Sequence, residues 1–335
     1  MKPFLRIVFF LILLAACSGP AVPLPPVRPT ATVSATAAPT LVPTTLIPTT
    51  DSYENNVHLF EYDADSPLSI TERSVQPEDG YTVHDISYPS PTTGEVPAYL
   101  IVPDGPGPFA GILLMHGSSG SRTTLLPLAK DLVHTGAVIL TVSAPSARIS
   151  GRDWISFTPR DRDEQIQLIV DLRRGVDLLT QHKKLDPSRI GYVGYSYGAA
   201  MGGLLAGIEP RIRAYGLMVG DGGLVNHFTD EGEPIGGFEQ IDSVQRESWL
   251  EAMDPIEPIH YVAHASPAAL FFQNARYDTS VSEEDALAYQ AAGSEPKKVQ
   301  WYDSGHGLPT QAYIDMVAWL AEQIGIDPAK FHLSN

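Results

Sequence analysis

The stretches FAGILLMHG, residues 109–117, and GAVILTVSA, residues 136–144, are apolar at nearly every position rather than at every second one. A strand of that kind has two faces to hide, so it belongs in a sheet covered on both sides. Between them TTLLPLAKDLVHTG, residues 123–136, carries helical spacing and a glycine stop. A helix between two such strands is the crossover that a parallel pair needs. The alternation continues down the chain. A helix at about 160–182 places Leu172, Val176 and Leu179 on one face, followed by the strand RIGYVGYS (189–196) and a helix over YGAAMGGLLAG (197–207). The small residues Ala199, Gly202 and Gly203 of that helix imply close packing on the sheet, since glycine otherwise costs a helix about 1 kcal/mol relative to alanine. The strands AYGLMVGD (214–221), PAALFFQNA (267–275) and KKVQWYDSG (297–305) come next, with a helix from Ser282 and a last helix whose Tyr313, Met316, Val317, Leu320 and Ile324 share a face. Residues 222–258 read as irregular. Ahead of all this, NVHLFEY (56–62), YTVHDISY (81–88) and VPAYLIVP (96–103) read as antiparallel strands opening the sheet. The expected fold is α/β: a doubly wound, mostly parallel sheet with antiparallel N-terminal strands. With 335 residues and 43% hydrophobic content, one large domain over 51–335 can fill its core.

Residues 1–16 stand apart. Lys2 and Arg6 lead into an apolar segment too short for a confident membrane span, which reads as a signal peptide. The single cysteine, Cys17, closes the run LAAC, and this ending resembles the bacterial lipoprotein signal. The resemblance implies cleavage before Cys17, lipidation of its thiol, a membrane anchor and an extracytoplasmic location. Residues 17–50 continue with Pro, Thr and Ala and offer neither helical nor alternating apolar period, so they read as a tether. As a flexible coil it would span roughly 30 Å, and as a stiff extended arm at most about 100 Å.

The formal charge of −17 repels phosphate backbones, which argues against a nucleic-acid partner. No Walker-type or dinucleotide-type glycine pattern occurs, so no cofactor is expected. His260 and His264 in HYVAH have the spacing of a metal pair on a helix, but the sequence suggests no third ligand, and no metal is expected.

Polar residues beyond the carboxyl ends of the strands are where an open α/β sheet keeps its chemistry. In GYSYG, residues 194–198, Ser196 sits between a strand and a helix, flanked by Gly194 and Gly198, as a G-x-S-x-G elbow requires. A serine hydroxyl needs a base, and His306 in WYDSGHGLP lies just past the last strand. That base needs an acid to fix its tautomer; Asp278 in LFFQNARYDTSV follows the preceding strand, and Asp221 at the end of AYGLMVGD is the rival. Asp303 is too near His306 in the chain to face it. Charge on a tetrahedral intermediate calls for two backbone N–H groups. Tyr197, after the nucleophile, supplies one; Ser118 of HGSSG (116–120), or Ser119 in its place, supplies the other. His116 reads as a brace for that loop.

The elbow, the HGSSG loop, NARYDTSV and DSGHG together resemble the α/β-hydrolase superfamily over residues 80–325. Within it, VPAYLIVPDGPGPFAGILLMHG (96–117) is similar to the dienelactone-hydrolase-like and acetyl-xylan-esterase-like branch. Dienelactone hydrolases proper carry cysteine where this chain has Ser196, and dehalogenases and epoxide hydrolases carry aspartate. The resemblance thus implies a serine esterase acting on a small-molecule ester through Ser196, Asp278 and His306. A serine peptidase of the same fold, which usually carries a large extra domain, and a non-catalytic binding lipoprotein are the other readings. Residues 144–159 and 222–258, with Phe228, Phe238 and Trp249, are expected to overhang the site and shape its pockets.

Overall fold

Nine strands form one sheet in the order β1-β2-β3-β5-β4-β6-β7-β8-β9 in the computed structural model, which describes residues 50–229 and 235–334. The strands are β1 (Thr71–Glu78), β2 (Tyr81–Pro89), β3 (Glu95–Pro103), β4 (Phe109–Met115), β5 (Ala137–Val142), β6 (Leu185–Tyr195), β7 (Ala214–Met218), β8 (Ala269–Ala275) and β9 (Lys297–Tyr302). β1, β2, β3 and β5 pair antiparallel, and from β5 through β4 to β9 every pairing is parallel. The central strands β4, β5, β7 and β8 are buried along almost their whole length, as their unbroken apolar sequences require. This is the α/β-hydrolase fold.

The helices are α1 (Thr50–Asn56), α2 (Leu126–Val133), α3 (Pro159–Thr180), α4 (Tyr197–Ile208), α5 (Leu224–Thr229), α6 (Ser243–Met253), α7 (Glu283–Ala292) and α8 (Thr310–Ile324). One core cluster packs α3, α4 and α7 on one face of the sheet through residues such as Leu172, Leu204 and Tyr289. The other packs α2 and α8 on the opposite face through Leu132, Met316 and Leu320. Gly202 lets α4 close on Tyr192 of β6, whereas Gly203 makes room for the Tyr289 hydroxyl of α7 rather than for the sheet.

Two expectations change. NVHLFEY is no strand: after α1 the chain makes a 3-10 turn over Val57–Phe60, which drives Phe60 into the core against Tyr261. The first strand is instead β1, exposed at every position, so no apolar alternation announces it. The irregular segment contains α6, capped by Asp242, whose side chain accepts from Gln245 N–H at 3.0 Å. HYVAH forms two short 3-10 turns, in which His264 stacks on Tyr53 at 3.6 Å and His260 lies 3.6 Å from Asp254. Among the described residues no group of three or more His, Cys, Asp or Glu side chains could hold a metal. The expected signal peptide of residues 1–16, the lipidation expected at Cys17 and the expected tether lie outside the described residues, which begin at residue 50.

Candidate active site

β6 ends at Tyr195 and α4 begins at Tyr197, so Ser196 alone makes the turn between them. Its backbone has φ 55° and ψ −120°, a region that costs a non-glycine residue on the order of 1–3 kcal/mol. The surroundings hold it there. Ser196 N–H donates to Met218 O of β7 at 2.8 Å, and Ser196 O accepts from Ala199 and Ala200 at 2.7 and 3.1 Å. The two flanking glycines have steric reasons: a Cβ on Gly194 would overlap the Gly198 carbonyl, and one on Gly198 would overlap the Met115 carbonyl.

Three side chains meet at this turn. Ser196 Oγ lies 2.9 Å from His306 Nε2, and His306 Nδ1 lies 2.9 Å from both carboxylate oxygens of Asp278. Asp278 also accepts from the N–H groups of Ser280 and Val281 at 2.8 and 3.1 Å. Burial pushes its carboxyl pKa up, but the hydrogen bonds from His306 and the two backbone donors outweigh this and hold it below the usual value. An ionised Asp278 facing Nδ1 fixes the proton there, which leaves Nε2 as acceptor for the serine hydroxyl. The rivals are engaged elsewhere: Asp221 is 2.8 Å from His227 Nδ1, and Asp303 pairs with Arg276 at 3.2 Å. Nor does Asp278 cap α7, a role taken by Ser282.

The HGSSG loop follows β4 and reaches the same point. A Cβ on Gly117 would lie 3.4 Å from Ser196 Cβ, so the backbone leading to Ser118 runs against the Ser196 side chain. Tyr197, first residue of α4, has its N–H among those a helix leaves unpaired at its start. His116 anchors the loop from within: its Nε2 accepts from Ala144 N–H at 3.1 Å, so Nδ1 carries the proton and donates to Gly117 O at 2.6 Å. Burial, with Arg148 nearby, lowers its pKa to about 4.

A cleft of about 180 Å³ opens beside this loop, lined by Ser118, Ser119, Ser146, Arg152 and Trp154 among others. Trp154 lies edge-on to Tyr197 at 5.9 Å. The remaining aromatic residues of the overhanging segments do not line it. Phe157, Phe228, Phe238 and Trp249 are buried against one another with ring centroids 5.0–6.0 Å apart, and Trp249 Nε1 donates to Asp161 of α3 at 2.9 Å. They form a small core of their own, through which the two segments hold each other. Tyr195 is a residue that the sequence does not single out, because an aromatic side chain at a strand end reads as core. Its hydroxyl donates to His306 O at 2.6 Å.

The prolyl oligopeptidase family model matches residues 131–327, more than half of the chain and the part that contains Ser196, Asp278 and His306. Among solved structures, the acetyl xylan esterase from Paenibacillus sp. R4 is similar with a TM-score of 0.68 at 18% identity, covering 84% of this chain and 96% of that one. Acetyl xylan esterase 1 from Thermoanaerobacterium sp. JW/SL YS485 gives 0.64 at 15%, covering 81% and 92%. The Pyrococcus furiosus esterase Pf2001 gives 0.55 at 17%, covering 76% and 98%. At these identities the likeness is one of fold. No curated protein matches the sequence.

Proposed function

We propose, from the premise that this chain belongs to the prolyl oligopeptidase family and is a serine hydrolase of the α/β-hydrolase fold, that it hydrolyses carboxylic esters of small acyl groups through an acyl-enzyme. The observation that carries this reading is the unbroken chain from Asp278 through His306 to Ser196, with 2.9 Å at each link and the serine on a left-handed turn. Ser196 Oγ attacks the ester carbonyl as His306 Nε2 takes its proton, and Asp278 steadies the resulting imidazolium. The imidazolium then protonates the departing alkoxide. The backbone N–H groups of Tyr197 and Ser118 receive the oxyanion, an arrangement whose single donors are worth about 100- to 1,000-fold in rate where they have been removed. Water, deprotonated by the same His306, releases the acid.

Two features favour small esters. The cleft of about 180 Å³ beside Ser118 has room for a compact group. The solved structures with the same fold include two named acetyl xylan esterases. The family description favours a second reading, amide cleavage in peptides. Rates on 4-nitrophenyl esters of graded acyl length, set against the matched anilides, separate the two. Esters should be cut far faster, with a maximum at two to four carbons, and Ser196→Ala should lose about a thousandfold or more. An unchanged rate in Ser196→Ala overturns the hydrolase mechanism, and anilides cut as fast as esters replace it with a peptidase. The reading also includes lipidation of Cys17 and attachment to a bacterial membrane outside the cytoplasm.

A further inference from the structure

Tyr195 is the last residue of β6 and stands immediately before Ser196. Its hydroxyl reaches the main-chain carbonyl of His306 at 2.6 Å, and its ring lies edge-on to the imidazole at 5.5 Å. Two consecutive residues therefore hold one histidine from two sides, Tyr195 by the backbone and Ser196 by Nε2 at 2.9 Å. The histidine has few other restraints. It sits in the loop between β9, which ends at Tyr302, and α8, which begins at Thr310. Its neighbours Gly305 and Gly307 are exposed, and a methyl group at Gly307 would meet nothing within 4 Å. Burial, with Tyr313 and Asp278 nearby, pushes the Tyr195 phenol up to about 12, so the O–H stays a donor at neutral pH.

The restraints change during the cycle. Once Ser196 Oγ is acylated it no longer carries a proton for Nε2, and the hydrogen bonds left to the His306 ring and carbonyl among the described residues are those with Asp278 and Tyr195. We infer that Tyr195 is a positioning residue whose O–H···O=C bond to His306 keeps Nε2 at the reacting carbon while the acyl-enzyme waits for water. This rests on the acyl-enzyme reading above and goes beyond it by assigning a residue to one half of the cycle.

The test is Tyr195→Phe, which removes only the oxygen, with acylation and deacylation rate constants of the full chain followed by stopped flow on 4-nitrophenyl acetate. Deacylation should fall about tenfold, since displacements of about 1 Å can cost a hundredfold, while acylation changes less than threefold. Tyr195→Phe should add nothing to His306→Ala, because a group that acts through the imidazole has nothing to act on without it. Equal losses in both steps, rates within twofold of the parent, or a further tenfold loss on the His306→Ala background each overturn the inference. Unimpaired hydrolysis by His306→Ala alone is a different result, for it removes the mechanism on which the inference rests.

Discussion

His116 illustrates how much a buried imidazole contributes without approaching a substrate. It has 1% of its surface exposed, and its two ring nitrogens join the HGSSG loop to the segment after β5. Protonation would turn the acceptor Nε2 into a donor facing another donor, Ala144 N–H. The folded pKa of about 4 lies below the ordinary 6.5, so between these values the unfolded chain binds more protons and stability rises with pH. That contribution is complete above about pH 6.5 and is lost as pH falls toward 4, up to about 3 kcal/mol at 1.36 kcal/mol per unit. His116→Gln can keep both hydrogen bonds and does not titrate. Its urea-unfolding free energy should therefore fall by about 3 kcal/mol less than the parent's between pH 7 and 4, and parallel profiles would refute the assignment. The same scale shows what one sequence can disclose about a site. Ser196 and His306 announce themselves by flanking glycines and by their places after strands, and so does the HGSSG loop. Asp278 and Asp221 each follow a strand in the same way. Only the path of the chain turns one toward His306 and the other toward His227.

At the scale of elements, the turn from β6 to α4 is built from close approaches rather than from attractive contacts. Gly198 meets the carbonyls of Met115 and His116, where β4 gives way to the HGSSG loop, so the helix that follows Ser196 and the HGSSG loop share one van der Waals surface. Gly198→Ala must push these apart. Overpacking of this kind costs about 1–3 kcal/mol, and here the displaced backbone is the one that carries Ser118. The variant should lose that much stability in urea and at least tenfold in ester hydrolysis, and a variant with the parent's stability and rate would show the contact to be slack. Legibility at this scale follows burial. Strands apolar on both faces and helices with one apolar face are readable, which covers β4 to β8, α2, α3 and α8. β1 buries no residue, and α6 buries only Trp249 and Met253, so neither carries a period that a sequence can display. NVHLFEY misleads for the opposite reason. Its aromatic and β-branched residues suit a strand, but the fold uses them singly, Phe60 as a plug in the core and Tyr62 as a hydroxyl on Asp177 at 3.0 Å.

For the molecule as a whole, residues 53–66 strap the start of the described chain onto the helices behind the site. Tyr53 donates to Gly207 O of α4 at 2.9 Å, and Arg173 donates to Phe60 O at 2.8 Å. Arg174 reaches the carbonyls of Ala64 and Ser66, while Arg211 joins Asp177 and Glu209 at 2.6 and 2.7 Å. α4, to which Tyr53 is tied, begins at the Ser196 turn, so a pull from the N-terminal side would meet charged and hydrogen-bonded anchors before it reached Ser196. Such an arrangement suits a domain hung from a lipid at Cys17. No helix among the described residues is long and apolar enough to cross a membrane, and the proposed reading assigns attachment to a lipid on Cys17. Cys17→Ala should therefore move the protein from the membrane fraction of a bacterial host to a soluble one. Its kcat on a short-chain ester should stay within twofold, because the strap is held to the domain by its own hydrogen bonds whether or not a lipid is attached at Cys17. A Cys17→Ala protein that still sediments with membranes would locate the attachment in the folded domain instead, and one released but inactive would mean that the strap transmits tension to Ser196.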